Sequence, residues 1–364
     1  MLRLALVALA VTPMIGATPS VAAGCTGRWT ELPSPATHAP EGIEALAEDD
    51  AWLVAYSTNA EGEDQGHSYH WDGVAWTKVA IPQPGVSEYV WGIGAVAPSD
   101  VWIVGQWQEN VTYESHAYAA HWDGTRFVQT PVDAGRSARL FDADGVAGDD
   151  VWTVGFHFAD GEYRSLAMHW DGASWTEVAA PGPTRASTYL WDVDVLAIDD
   201  VWAVGSIYGR RKGGRPLALH WDGATWTRSR LVVPPGNWSY FSGVAATGPN
   251  EVWAVGSSDN GAHQLIERWD GTRWRTVPGP DGGSGTLDAV SVVSRREAWA
   301  VGRADGGMGP TLLRWNGSGW RSVDVPGGRR HGALSDVVSL PDGTSFAVGF
   351  NGAGILPLQR CLTA

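Results

Sequence analysis

The sequence predicts an all-β chain, a seven-bladed β-propeller with four antiparallel strands per blade and a last blade closed by the N-terminal strand. Three observations lead there. A unit of about 46 to 51 residues recurs along the 364-residue chain. Each unit divides into four short stretches in which apolar residues alternate and between which Gly, Pro, Asp and Asn cluster. The last unit is one strand short, and one unassigned strand precedes the first.

Taken in order, residues 1–23 read as an export signal, with a basic start at Arg3, an apolar run from Leu4 to Ile15 and the small-residue site Val21-Ala22-Ala23. Residues 24–364 then form a single propeller domain, since no linker or charge block interrupts the repeat. No later stretch approaches the roughly 18 apolar residues of a membrane-spanning helix. A secreted monomer is therefore expected. The net charge of −15 argues against nucleic acid as a partner, because phosphate binding needs a basic footprint.

The orphan strand is Arg28-Trp29-Thr30-Glu31-Leu32. The repeat that follows has three marks. The first is Val-Trp-x-Val-Gly, centred on Trp52, Trp102, Trp152, Trp202, Trp253 and Trp299, with Phe346 as a degenerate seventh copy. The second is Trp-Asp-Gly, beginning at Trp71, Trp122, Trp170, Trp221 and Trp269, with Trp315-Asn316-Gly317 as a variant. The third is an aromatic three residues after each Gly, at Trp76, Phe127, Trp175, Trp226, Trp274 and Trp320. With strands named a to d, Val-Trp-x-Val-Gly is strand b, Trp-Asp-Gly ends strand c and the third aromatic opens strand d. Asp-Gly suits the tight c–d hairpin, since Asp bonds its own backbone and Gly accepts positive φ. Four-stranded units at this spacing are propeller blades.

Of the 22 tryptophans, 18 fall on the repeat or on the orphan strand, so they are assigned to packing between blades. Each buries about 200 Å², a gross gain of roughly 5 kcal/mol. His70, His121, His169 and His220 precede Trp-Asp-Gly and give way to Arg268 and Arg314 later, as residues with a structural role would.

The last unit holds strands a to c between Ser335 and Cys361, and the orphan strand supplies its strand d. Cys25 and Cys361 are the only cysteines and flank that seam. A disulfide is expected there. The alternative, acylation of Cys25 as a lipoprotein anchor, is less well matched by the alanines that precede it. From Cys25 to Cys361 the chain resembles the kelch and Asp-box class of propellers found in secreted bacterial repeat proteins. The resemblance implies the fold. It leaves activity open, since strand b carries Val-Gly, as at Val104-Gly105, and Trp directly precedes Asp-Gly.

Function is expected on the face formed by the b–c loops and the d–a connections, which vary in length and composition. Trp91, Trp107, Trp191 and Trp238, the tryptophans outside the repeat, fall there with Tyr113, Tyr189 and Tyr240, and such aromatics stack on sugar rings or apolar partners. Trp91, Phe141, Trp191 and Phe241, each just before strand a, alternatively plug the channel. Arg139, Arg164, Arg185, Arg210 and Arg211 add a local positive patch suited to carboxylate or sulfate. Gly42, Gly92, Asp142, Asp192, Ser242, Asp288 and Asp336 form a ring at the start of strand a, whose carboxylates are candidates for Ca²⁺ or Mg²⁺ in the channel. Catalytic motifs are absent. His157 with Tyr163, beside the arginines, is the catalytic candidate. The expected function is binding of a carbohydrate or other extracellular ligand. A polysaccharide lyase or hydrolase on the same face, and a protein-interaction scaffold, are the alternatives.

Overall fold

The computed structural model describes residues 27–109, 114–209, 213–231, 238–307, 309–329 and 331–361. The proposed signal, Cys25, Tyr113, Arg210 and Arg211 lie outside them. The described residues form seven separate four-stranded sheets, with no crossover inside any sheet. In blade 3, strands a to d are Arg139–Ala147, Asp150–Ala159, Glu162–Trp170 and Trp175–Glu177, paired antiparallel in that order. Apart from 3-10 turns at Pro280–Gly282 and Asp305–Gly307, the described residues hold no helix, and none long and apolar enough to cross a membrane.

The blades stack through the repeat aromatics. In blades 1 to 5 the strand b tryptophan meets two rings of the next blade. Trp102 lies 5.0 Å from Trp170 and meets Trp175 edge-on at 5.2 Å and 84°. Trp152 repeats this with Trp221 and Trp226. Edge-to-face rings set the positive rim of one indole against the negative face of another, which fixes the angle between blades as well as burying area.

A second device braces each tryptophan from its own blade. In blades 1 to 4 the histidine before Trp-Asp-Gly packs against the strand b tryptophan and meets the aspartate that opens strand b. The pairs are His70–Asp50, His121–Asp100, His169–Asp150 and His220–Asp200, all at 2.7 to 2.8 Å. In blades 5 and 6 both partners change together, to Glu251–Arg268 and Glu297–Arg314. The longer acid meets the guanidinium, which lies over Trp253 in blade 5 and over Trp299 in blade 6. These histidines are thus structural.

The hairpins follow their chemistry. Asp72 Oδ1 accepts from the N–H groups of Val74 and Ala75, while Gly73 sits at φ +86°. Those bonds favour the charged form and hold the Asp72 carboxyl below its ordinary range.

Closure occurs where the repeat count places it. Trp29, Thr30 and Glu31 pair with Arg360, Gln359 and Leu358, making the N-terminal segment strand d of blade 7. The Gly27 N–H donates to the Cys361 carbonyl at 3.0 Å, so the two ends of the chain run side by side.

Candidate functional site

Strand a of every blade lines the central channel, and every strand a carries the same irregularity. Its pairing with strand b skips one residue, as between Leu140 and Asp142 or between Leu190 and Asp192. The skipped residues are Glu41, Trp91, Phe141, Trp191, Ser242, Asp288 and Ser335. A bulge turns a side chain out of the pleat and is enriched beside binding sites. All seven bulge residues line one cavity of about 100 Å³ at the channel mouth. Below them the backbones crowd together. A Cβ on Gly92 would lie 2.5 Å from Asp142 Cα, so only glycine fits there.

From the mouth a belt of rings crosses blades 1 to 5 with the order Tyr56, Tyr89, Trp91, Phe141, Trp191, Tyr189, Tyr208, Trp238. Successive centroids lie 4.0, 4.5, 4.7, 4.6, 5.6, 5.2 and 4.6 Å apart. Trp191 and Tyr189 are parallel to within 1°. Trp238 ends the belt and is 42% exposed. Four of the expected binding aromatics therefore meet in one surface. Trp107 instead stacks on His116 and packs against the core between blades 1 and 2, and Tyr240 stands half-buried in blade 5.

Tyr56 and Tyr208 escape sequence reasoning. They occupy the first and third positions after the end of the strand b motif, where its alternation continues, and carrying that alternation past the glycine finds them. Phe241 is a correction. It pairs opposite Gly256 before the bulge and is fully buried, while Ser242 faces the mouth.

The channel beneath is acidic. Glu44, Asp144 and Asp194 join Asp142, Asp192 and Asp336 around a second cavity of about 150 Å³. Several of these carboxyls reach the backbone of the next blade. Asp142, Asp144, Asp192 and Asp194 accept from the N–H groups of Val193, Val195, Val244 and Ala246, and Asp336 accepts from Ile43 across the seam. Burial raises the folded-state pKa of Asp336 to about 7 and of Asp144 to about 6, and those of Asp142 and Asp194 well above the carboxylate range. At the rim, burial takes Glu41 to about 7 although it accepts from the Tyr89 hydroxyl at 2.9 Å.

This arrangement gives the metal candidates Asp142, Asp192, Asp288 and Asp336 partners within the protein. Three of them cap backbone N–H groups, and the bulge lifts Asp288 out of their ring to the mouth, where Arg303 lies 3.5 Å away. Among the described residues no group of three or more ligating side chains is placed to hold a metal ion.

The arginine patch also disperses. Arg164 donates to the carbonyls of Pro183, Thr184 and Ala186 and so ties down its own connection. Arg139 lies over the Phe156 ring, and Arg185 is exposed. The catalytic candidates separate as well. His157 pairs with Arg164 and Tyr163 with Phe158, and alternation along a strand puts neighbouring pairs on opposite faces. His157 Nδ1 meets the Ala134 carbonyl, whereas the Tyr163 ring packs on Phe156.

No protein-family model matches the chain, and no curated protein matches its sequence. Solved structures do match its fold. YCF48 from Cyanidioschyzon merolae aligns over 91% of this chain and 98% of its own, with a TM-score of 0.61 and 13% identity. A YCF48 described as bound to D1 peptide aligns over 92% and 97%, with a TM-score of 0.60 and 15% identity. The GH74 xyloglucanase from Xanthomonas campestris aligns over 91% of this chain and 53% of its own, with a TM-score of 0.61 and 14% identity. At such identities the likeness is one of fold.

Proposed function

We propose that this protein is an exported, kelch-like propeller that binds a neutral carbohydrate across the channel mouth. The observation that carries this reading is the belt from Tyr56 to Trp238, continuous with the bulge residues Trp91, Phe141 and Trp191. Flat rings offer faces to sugar C–H groups, and tyrosine hydroxyls and the Glu41 carboxyl offer the hydrogen bonds that hydroxyl groups need. The carboxyls at and below the mouth, whose protons burial retains, offer hydrogen bonds to hydroxyl groups and no positive charge to an anionic ligand, which favours an uncharged sugar over a uronate. The same lining also weakens the alternative of a lyase for acidic polysaccharides.

A glycan array of neutral oligosaccharides tests the reading. Trp191→Ala and Tyr208→Ala are expected to lower affinity at least about tenfold, as loss of a stacking partner does. Trp107→Ala, outside the belt, should bind like the parent. Unchanged binding in both belt variants would remove the site.

A further inference from the structure

The opposite face of the ring, which carries the c–d hairpins, holds a larger cavity of about 420 Å³ lined by residues of blades 5 and 6. Its charge runs against that of the chain. Residues 251–330 contain ten arginines and nine carboxylates, while the rest of the protein contains fifteen basic and thirty-one acidic residues. Arg268, Arg275 and Arg295 line the cavity with Glu251 and Asp270. Glu251 is already committed, accepting from Arg268 Nε and from the Trp253 indole. Asp270 engages Arg275 through Nε at 2.7 Å. Arg295 is 74% exposed, and its Nε stands 3.8 Å from Glu251. Arg273 and Arg296 stand in the neighbouring turns of blades 5 and 6.

The pairing register makes this cluster unusual. The strand d residue opposite the bracing histidine is Thr77, Val128, Thr176 and Thr227 in blades 1 to 4. In blades 5 and 6 it becomes arginine, directly opposite another arginine, as Arg268–Arg275 and Arg314–Arg321. Like charges facing each other across a strand pair are destabilising. Blades 1 to 4 do without this arrangement, so packing does not require it. Two neighbouring blades carry it at the same position, and the blade 5 pair lines a cavity of ligand size.

We propose that the cavity binds an oxoanion, phosphate or sulfate, carried by a ligand that docks on the hairpin side of blades 5 and 6. A bound oxoanion would accept from the forks of Arg275 and Arg295, offset the opposed arginines and give the surplus charge a partner. The site is independent of the aromatic mouth.

Calorimetric titration with inorganic pyrophosphate, and separately with a sulfated disaccharide, tests it. The parent protein binds at least one probe in low-salt buffer, and the identity of that probe separates phosphate from sulfate recognition. The double variant Arg275→Thr, Arg295→Ser loses affinity at least about tenfold, the scale of a lost charged hydrogen bond. Arg126→Ser, an exposed arginine on the blade 2 hairpin, retains it. Arg275→Thr alone, which restores the residue of earlier blades, melts at or above the parent temperature without ligand. Four results would overturn the proposal: no binding of either probe, unchanged affinity in the double variant, an equal loss in Arg126→Ser, or a lower Tm for Arg275→Thr.

Discussion

Trp29 meets Trp299 edge-on, with ring centroids 5.2 Å apart at 88°, and so repeats across the chain ends the contact that Trp253 and Trp320 make at 5.2 Å and 85°. The seam between blades 6 and 7 therefore keeps the edge-on contact of the other interfaces, with an N-terminal residue supplying the ring and Arg360 lying over Trp299.

Trp29→Ala is expected to cost about 3–5 kcal/mol, the range for truncating a buried aromatic. Thermal unfolding with and without the substitution checks this. A change below about 1 kcal/mol would mean that strand d of blade 7 is dispensable.

Cys25 and Cys361 are expected to be joined, since the Gly27 N–H already donates to the Cys361 carbonyl. Thiol titration of the unfolded, unreduced protein should find no free thiol. Cys361→Ser should lower stability by about 2–5 kcal/mol. Two reactive thiols in exported protein would sink the pairing.

The bracing pairs are expected to be exchangeable as units. His169→Ala leaves the buried Asp150 carboxylate unpartnered and should cost about 1–3 kcal/mol. Asp150→Glu together with His169→Arg, which copies blade 5, should recover most of that loss. A double-mutant cycle with no coupling between the two positions would show that they do not act together.

Stability is expected to fall as pH rises from about 5 to 8.5. Burial raises Asp336 and Glu41 to about 7 and Asp144 to about 6 in the folded state, above their unfolded values near 4. The folded protein then holds protons that the unfolded chain has released. That contribution is complete below the unfolded pKa and is lost as pH passes through 6 to 7, a drop in Tm of about 5 °C. Asp142→Asn with Asp194→Asn keeps an oxygen to accept from Val193 and Ala246 but removes the charge. At pH 8.5 it should melt above the parent protein, and a lower Tm would show that the ionised forms stabilise the ring.

Blade number, strand order and closure were legible in the sequence because each rests on a spacing, and Trp102 to Trp152 reports a repeat whatever surrounds it. The mouth was less legible. A bulge moves the pattern by one residue inside strand a, so Asp288 was grouped with Asp142 and Phe241 with Phe141, when the structure pairs them otherwise. Arg164 was misread for another reason. A sequence displays its charge but not the three carbonyls that occupy it.

The bulges have a wider consequence. Because each inner strand lifts one residue free of its ladder, neither pleat nor register dictates what stands at Glu41, Trp91, Ser242 or Asp288. The opening thus has seven seats whose occupants can be exchanged one at a time while the tryptophan scaffold stays as it is. If the mouth is the binding site proposed above, single substitutions at these seats would suffice to alter what it holds.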